Sequence, residues 1–592
     1  MLKRLLFFSL LVVLAITLYF NPNFKTILAG VAILLFGMIM LEEGFKVFTK
    51  GPLQKILKNA TNKLYKSIAA GALVTAFIQS SSLVSVITIS FISAGLITLS
   101  GGLGLIFGAN IGTTATAWLV AGFGLKIKIS SLAMPVLIFG LIFSFQKKKS
   151  FKGIGNVLAG LGFFFLGIFY MKEGFDVFKD HIDLTQFAVT GFLGAVIYTG
   201  LGIMITTILQ SSSATLALIL TALAAQQIEY ENALALAIGA NVGTTITAIL
   251  GSLGSNVAGK RLAGGHFVFN ILTGVVALLF IFPLARLVNN IADIFHISET
   301  DFTLKLAIFH TIFNLLGVLL MIPFLGKLEK LLISVFKEKA DKEIDEPKYL
   351  NESVLEFPSS AITALFNESK YLYQNAIFKI VAHGLNIHRN DIKSDEKIKK
   401  IIHKSTEDMH VNIEELYYHK VKTIYGEILK YATIIQNDLK LNKKQNKTVT
   451  DIKTANRKMV EIIKDVRELN KNVTFSLTIG NPHLLKEYDG FRKKVTKVLR
   501  VIYLFRTEED SSEFALKLAA LKSEAKEHIR ISNQSIDALI RKDLISAEMA
   551  SSLFNDYSNV NDMIKKLISV AELLYGENDN LFETHEQLQV NQ

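Results

Sequence analysis

Gln79-Ser80-Ser81-Ser82 lies inside the apolar stretch TAFIQSSSLVSV (75–86), and Gln210-Ser211-Ser212-Ser213 lies inside TTILQSSSATLAL (206–218). Four consecutive polar residues are costly in a bilayer, because lipid offers no hydrogen-bond partners. Their appearance twice, in matching surroundings, reads as the two halves of one binding site.

The surrounding chain is a membrane protein by composition. Its 592 residues are 51% hydrophobic, with a mean hydropathy of +0.39, too apolar for a large soluble enzyme. Cysteine is absent, so disulfides, thiolate chemistry and Cys-based zinc or iron–sulfur sites are excluded. Apolar runs of spanning length, about 20 residues, end near Leu331, and lysine and glutamate rise together after Glu338. This predicts an anchor helix in 1–26, a first membrane repeat over 27–150, and a second repeat with following helices over 151–330. A linker over 331–350 then leads to a soluble helical bundle over 351–592. The net charge of +12 is assigned to lysines flanking apolar segments, not to nucleic-acid binding. Lys3 and Arg4 precede an apolar run, 5–20, that resembles a signal peptide. Bulky Leu18-Tyr19-Phe20-Asn21-Pro22 offers no cleavage site, so the run reads as a retained anchor.

Working outward from the tetrads uncovers a repeat. GMIMLEEGFKVF (37–48) matches GIFYMKEGFDVF (167–178), so Glu43-Gly44-Phe45 recurs 130 residues on, and the tetrad recurs 131 residues on. Gly108-Ala109-Asn110-Ile111-Gly112-Thr113-Thr114 returns as Gly239-Ala240-Asn241-Val242-Gly243-Thr244-Thr245, also at 131. Three blocks in one register are an internal duplication. The stretch 68–98 reads either as one long helix or as two half-helices of about 11–16 residues meeting at a re-entrant tip. With a hairpin there, 27–48, 103–123 and 130–145 make three crossings before the second copy begins, and an odd number inverts that copy. Lysines favour the hairpin: with Lys3 and Arg4 inside, Lys50, Lys55, Lys58, Lys63, Lys66, the 147–152 cluster and Lys260-Arg261 all fall in the cytoplasm. Lys126 and Lys128 are the exceptions. The expected fold is all-α: a polytopic membrane domain of two inverted repeats with re-entrant hairpins and broken helices, followed by a soluble helical bundle. The expected location is the plasma membrane, with the bundle in the cytoplasm.

At a hairpin tip, Ser80–Ser82 and Ser211–Ser213 open the second half-helix, where backbone N–H groups lack intrahelical partners. Those amides, the helix dipole, the serine hydroxyls and the amides of Gln79 and Gln210 make an anion site. No arginine lies in the apolar segments near the tetrads, so a co-travelling cation would balance the charge. The Gly-Ala-Asn-x-Gly-Thr-Thr blocks suit a broken helix whose carbonyls coordinate sodium. Interhelical bonding is the alternative reading of Asn110 and Asn241, for which the site role is preferred. It explains His266-x-x-Phe269-Asn270 and His310-x-x-Phe313-Asn314 as well as a site role does. Glu43 and Glu173 read as interfacial. Neither tetrad has a sequence-local base for its serines, which argues against an enzyme.

Across roughly 30–325, the two tetrads, both Asn blocks and the His-x-x-Phe-Asn pairs resemble the sodium-dependent inorganic phosphate cotransporter family (type II, bacterial branch). The resemblance implies a phosphate site at Gln79, Ser80, Ser81, Gln210, Ser211 and Ser212. It implies sodium near Ser82, Asn110, Thr113, Thr114, Ser213, Asn241, Thr244 and Thr245, with no other metal or cofactor. The expected function is secondary transport of phosphate coupled to sodium by alternating access. A carrier of another oxyanion, a proton-coupled carrier and a membrane-anchored phosphate sensor stay open, as does a homodimer.

In the soluble part, apolar residues recur at helical spacing over about 356–385, 394–442, 448–474, 481–507, 511–541 and 544–576. Tyr349-Leu350, Phe357-Pro358, Ala361, Ala364 and Glu368 resemble the linker into the PhoU-like domain of bacterial relatives. Glu461 and Asp465 could share a metal, but Lys464 and Arg467 adjoin them and a salt-bridged face is the preferred reading.

Overall fold

The computed structural model describes residues 12–48, 54–125, 129–179, 188–338, 345–508 and 512–576, and every described element is helical. Residues 1–11 of the expected anchor, together with Lys50, Lys126 and Lys128, lie outside the described residues. The chain divides into two compact units, one over Met1–Glu338 and the other over Lys339–Phe582.

Among the described residues of the first unit, seven helices are long and apolar enough to cross a membrane, and four shorter apolar helices accompany them. This is a multi-pass membrane protein. Helix α1 (Pro22–Phe48) is followed by α2 (Leu64–Ile78), α3 (Ser81–Ser93), α4 (Leu99–Gly112) and α5 (Thr114–Trp118). Next come α6 (Ile129–Ser144) and α7 (Lys149–Lys179), then α8 (Gly191–Leu209), α9 (Ser212–Ala224), α10 (Tyr230–Gly243) and α11 (Thr245–Ser252). The unit closes with α12 (Val257–Leu279), α13 (Ile281–Ile294), α14 (Phe302–Met321) and α15 (Leu325–Val335).

Small residues let these helices approach closely, because lipid supplies no hydrophobic drive to press them together. Glycines seven residues apart line the seam between α1 and α7. A Cβ on Gly30 would sit 2.8 Å from the Gly167 carbonyl oxygen, one on Gly37 2.7 Å from that of Gly160, and one on Gly44 2.8 Å from that of Gly153. As the number rises on one helix it falls on the other, so α1 and α7, the two bearers of Glu-Gly-Phe, run antiparallel. Elsewhere the order is the opposite: Gly101 meets Thr61, Gly104 meets Ser67, and Gly108 meets Ile68. Helices α2 and α4 therefore run parallel, which requires the intervening α3 to run back between them. The second copy repeats this, with Gly239 against Thr199 and Gly243 against Thr206.

Each tetrad sits at the junction of two helices. The first pair has arms of 15 and 13 residues, within the range expected for 68–98, and the leading arm of the second has 19. Nothing between Gly191 and Ala195 interrupts α8, whereas α2 begins only after the Thr61-Asn62-Lys63 turn.

The second unit is a helical bundle. Helix α16 (Pro358–Leu372) passes through a π-turn (Tyr373–Ile377) into α17 (Phe378–Gly384). It is followed by α18 (Thr423–Asp438), α19 (Lys443–Thr478), α20 (Pro482–Thr507), α21 (Ser512–Arg541) and α22 (Ala547–Tyr575). The single amphipathic stretch expected over 394–442 is instead several short helices before α18, because the polar run Ser405-Thr406-Glu407-Asp408 and left-handed His410 stop propagation. Buried Arg492 fastens this irregular region, donating from Nε to the Leu385 carbonyl at 2.9 Å and from Nη2 to those of Asn386 and Ser405. Glu461 pairs with Arg457 and Asp465 with Lys566, so each carboxylate has its own cation.

Glu368 is fully buried, and its Oε2 accepts from the backbone amides of Lys348, Tyr349 and Leu350 at 2.9, 2.6 and 3.3 Å. Burial pushes its carboxyl above the usual range, against the pull of those three donors. Glu368→Ala leaves the amides without an acceptor and is expected to destabilise the bundle by about 2–4 kcal/mol. Glu368→Gln keeps one oxygen there and is expected to cost less than half as much in denaturant melts of the full chain.

Candidate functional site between two hairpin tips

Both tetrads break their helices in the same way. Gln79 ends α2 with φ 60° and ψ 23°, and Gln210 ends α8 with φ 52° and ψ 24°, left-handed conformations uncommon for residues other than glycine. Ser80 and Ser211 are then extended, and each caps the next helix: Ser80 Oγ accepts from the Leu83 amide, and Ser211 Oγ accepts from the Ala214 amide, both at 3.2 Å. The sequence of states is helix, left-handed glutamine, extended serine, helix. Across the second tip, Thr206 Oγ1 bonds Thr215 Oγ1 at 2.9 Å. Nine residues apart along a straight helix would separate them by about 13 Å, so the chain has reversed.

The two tips meet. Thr116 Oγ1 lies 2.7 Å from Gln79 Oε1 and 3.2 Å from Ser213 Oγ. With one proton, Thr116 donates to Gln79 and accepts from Ser213. Gln79 Nε2 in turn donates to the Ala76 carbonyl. The first tetrad is thus joined to the second through a residue on α5. Ser81, Ser212 and Ser213 are buried beside this link, while Gln210 stays exposed. The first-turn amides of α3 and α9 not used by the caps remain without intrahelical partners.

Sequence reasoning did not single out Thr116 or Glu42. Thr116 was detectable, since extending the Asn block by two residues keeps the register and pairs Thr116 with Thr247. Glu42 was not, because its counterpart is Lys172. Its Oε2 accepts from Ser80 Oγ at 3.1 Å, placing a carboxylate at the first tip alone. Glu43 and Glu173 are exposed.

The Asn blocks form a second, buried cluster. Asn241 Nδ2 donates to Asn314 Oδ1 at 2.9 Å, and Asn270 Nδ2 donates to the Asn241 carbonyl at 3.1 Å. His266 Nε2 faces Nδ2 of Asn270 at 3.1 Å and Nδ2 of Asn110 at 3.5 Å. The two copies are therefore joined through α12, whose His266 faces Asn110 and whose Asn270 bonds Asn241, while Asn314 of α14 bonds Asn241 of the second copy, so interhelical bonding is present at every one of these asparagines. Thr113 Oγ1 donates to the Asn110 carbonyl at 2.6 Å, Thr244 Oγ1 to the Ala240 carbonyl at 3.1 Å, and Thr245 Oγ1 to the Val242 carbonyl at 2.8 Å. The helix break is narrower than the sequence suggested. Thr113 and Thr244 keep right-handed dihedrals (φ −62° and −61°), so the chain tightens for one residue without unwinding.

A sequence profile described as Na+/Pi-cotransporter matches residues 33–173 and again 184–309, one match over each copy of the repeat. The two matches together cover most of the membrane half of this chain, which is similar to that family there. Among curated relatives, YjbB of Salmonella typhimurium, named for a proposed role in inorganic phosphate export, is 29% identical over 340 residues, 57% of this chain and 60% of that protein. YjbB of Escherichia coli K12 is 27% identical over 380 residues, 63% of this chain and 67% of that protein. The uncharacterized protein YqeW of Bacillus subtilis is 27% identical over 290 residues, 48% of this chain and 90% of YqeW. The chain thus spans about three fifths of the Salmonella relative's length. No solved structure matches it. The paired profile match has a structural counterpart: each match contains one hairpin and one Asn block.

Proposed function

We propose that the protein is a secondary transporter moving inorganic phosphate, with sodium as coupling ion, by alternating access around the two hairpin tips. The observation that carries this reading is the Gln79–Thr116–Ser213 link, which brings together two helix N-termini rich in hydroxyl and amide donors. Two supports lie outside the site. The repeat-equivalent helices α1 and α7 run antiparallel, as inverted copies require, and the family carries phosphate and sodium in its description. Gln79, Ser81, Ser212 and Ser213 are the residues assigned to phosphate, with the capping Ser80 and Ser211 and the exposed Gln210 around them. Ser82 and Thr114 are the block hydroxyls best placed for sodium, since Thr113, Thr244 and Thr245 already bond to backbone carbonyls. The bundle is assigned to the cytoplasmic side and, through its PhoU-like linker, to regulation.

Glu42 beside Ser80 favours one alternative, a proton-coupled carrier, because a titratable group then sits at the tip itself. Radiolabelled phosphate flux into and out of proteoliposomes separates the two. The expected result is flux that falls about tenfold or more when choline replaces sodium, and that falls further in Gln79→Ala. A carrier driven equally well by a pH gradient in choline would replace sodium with protons. Binding without accumulation in either direction would leave a sensor.

A further inference from the structure

We infer that the bundle carries its own binding site for a small free oxyanion of the phosphate class, in the cleft between the Tyr373–Ile377 π-turn and α20. This inference stands apart from the transport reading, since no residue of it lies in the membrane unit. The cleft is lined by Tyr373, Gln374, Phe378, Lys393, Tyr503 and Arg506, among others, with two cations and no carboxylate. The Lys393 ammonium lies 5.7 Å from the centre of the Phe378 ring and 5.6 Å from that of Tyr503, and the Arg506 guanidinium lies 5.3 Å from the same Tyr503 ring. The rings hold both cations in place without neutralising them. Among the described residues neither cation is paired with a carboxylate, and the nearby acid Glu396 is committed to Lys400 and Lys404 at 2.8 and 2.7 Å. Burial first, and then Arg389 and Arg506, hold Lys393 below the usual lysine range, so the cleft concentrates positive charge it does not balance.

The second observation is independent of charge. Tyr373, one of the residues that line the cleft, is 1% exposed and its hydroxyl has no hydrogen-bond partner. A buried hydroxyl left so carries a desolvation cost that a bound oxygen would recover. Gln374 is anchored through its Nε2 to Tyr575 Oη at 3.3 Å. The π-turn is what adds the residue to this stretch of helix, and such turns gather at functional positions.

Equilibrium dialysis of the full-length protein in detergent against radiolabelled inorganic phosphate tests this. A Gln79→Ala/Gln210→Ala background removes the contribution of the membrane tips. The expected result is one phosphate retained per chain, displaced by sulfate and not by AMP. Affinity should fall about tenfold or more in Lys393→Gln and in Arg506→Gln, fall about fivefold in Tyr373→Phe, and survive in Lys393→Arg. Unchanged binding in both cation variants, or no binding in the background, would overturn the site. Tighter binding of AMP than of phosphate would overturn the assignment to a small free oxyanion. Flux is measured separately, so loss of transport and loss of this site are told apart.

Discussion

Thr116→Val should reduce phosphate flux by roughly 30- to 100-fold, the equivalent of about 2–3 kcal/mol. The substitution keeps the shape of the side chain and removes its hydroxyl. Gln79 Oε1 then loses the donor at 2.7 Å, and Ser213 loses the acceptor at 3.2 Å, in a place where little water can substitute. Two polar groups from opposite repeats are left without their common partner, and the amide of Gln79 is freed to leave the position it holds against the Ala76 carbonyl. Thr116→Ser restores the hydroxyl and should restore most of the flux. The repeat supplies a matched control. Thr247 occupies the equivalent position, yet its hydroxyl only bonds the Thr244 carbonyl in its own helix at 2.7 Å, so Thr247→Val should lose less than about threefold. Equal losses at Thr116 and Thr247, at matched reconstitution, would mean that the cross-tip link is not what holds the site.

The contrast between those two threonines marks what the sequence could and could not disclose. The duplication was legible, since the tetrads and the Asn blocks recur in a constant register, and the left-handed Gln79 and Gln210 fall within the motif that announced them. The hairpins needed the flanking lysines as well, because 68–98 alone allowed one long helix. What breaks the symmetry was not legible. Glu42 has Lys172 as its counterpart, and Thr215, which bonds Thr206, has Val84 in the first copy, leaving Thr75 Oγ1 buried without a partner. A residue whose importance depends on contact across copies gives no periodic signal. The same limit explains why the His-x-x-Phe-Asn motifs stood between two readings: helical spacing puts His266 and Asn270 on one face, but only the packing of α12 against α4 and α10 shows which partners they meet. In the bundle, period alone ran across Ser405–Asp408, since amphipathic spacing carries no penalty for a turn that a buried arginine stabilises.

The glycines of the Asn blocks look from sequence like devices for breaking a helix, and the structure gives them a different duty that predicts a large effect. A Cβ on Gly108 would fall inside the carbonyl oxygen of Ile68, 2.7 Å from its carbon and 2.9 Å from the Ala72 nitrogen. One on Gly239 would meet the Thr199 carbonyl oxygen in the same way, 2.9 Å from the Ile203 nitrogen. These obstacles are backbone atoms, which no rotamer change can remove, so the helices must separate. Alanine favours a helix over glycine by about 1 kcal/mol, but overpacking against rigid neighbours costs about 1–3 kcal/mol or more. The net should be destabilising. Function should suffer beyond stability, because α2 ends in Gln79 and α8 ends in Gln210, and moving either arm displaces a tip. Gly108→Ala and Gly239→Ala are each expected to lower the melting temperature of the purified protein by about 5 °C or more and to reduce flux at least about tenfold at temperatures where the protein stays folded. Gly200→Ala, on α8 with nothing within 4 Å of its Cβ, gains the same helix propensity and should melt at or slightly above wild type with full flux. Wild-type behaviour of Gly108→Ala in both assays would show that these seams open without consequence, and the two tips would then need some other means of being held together.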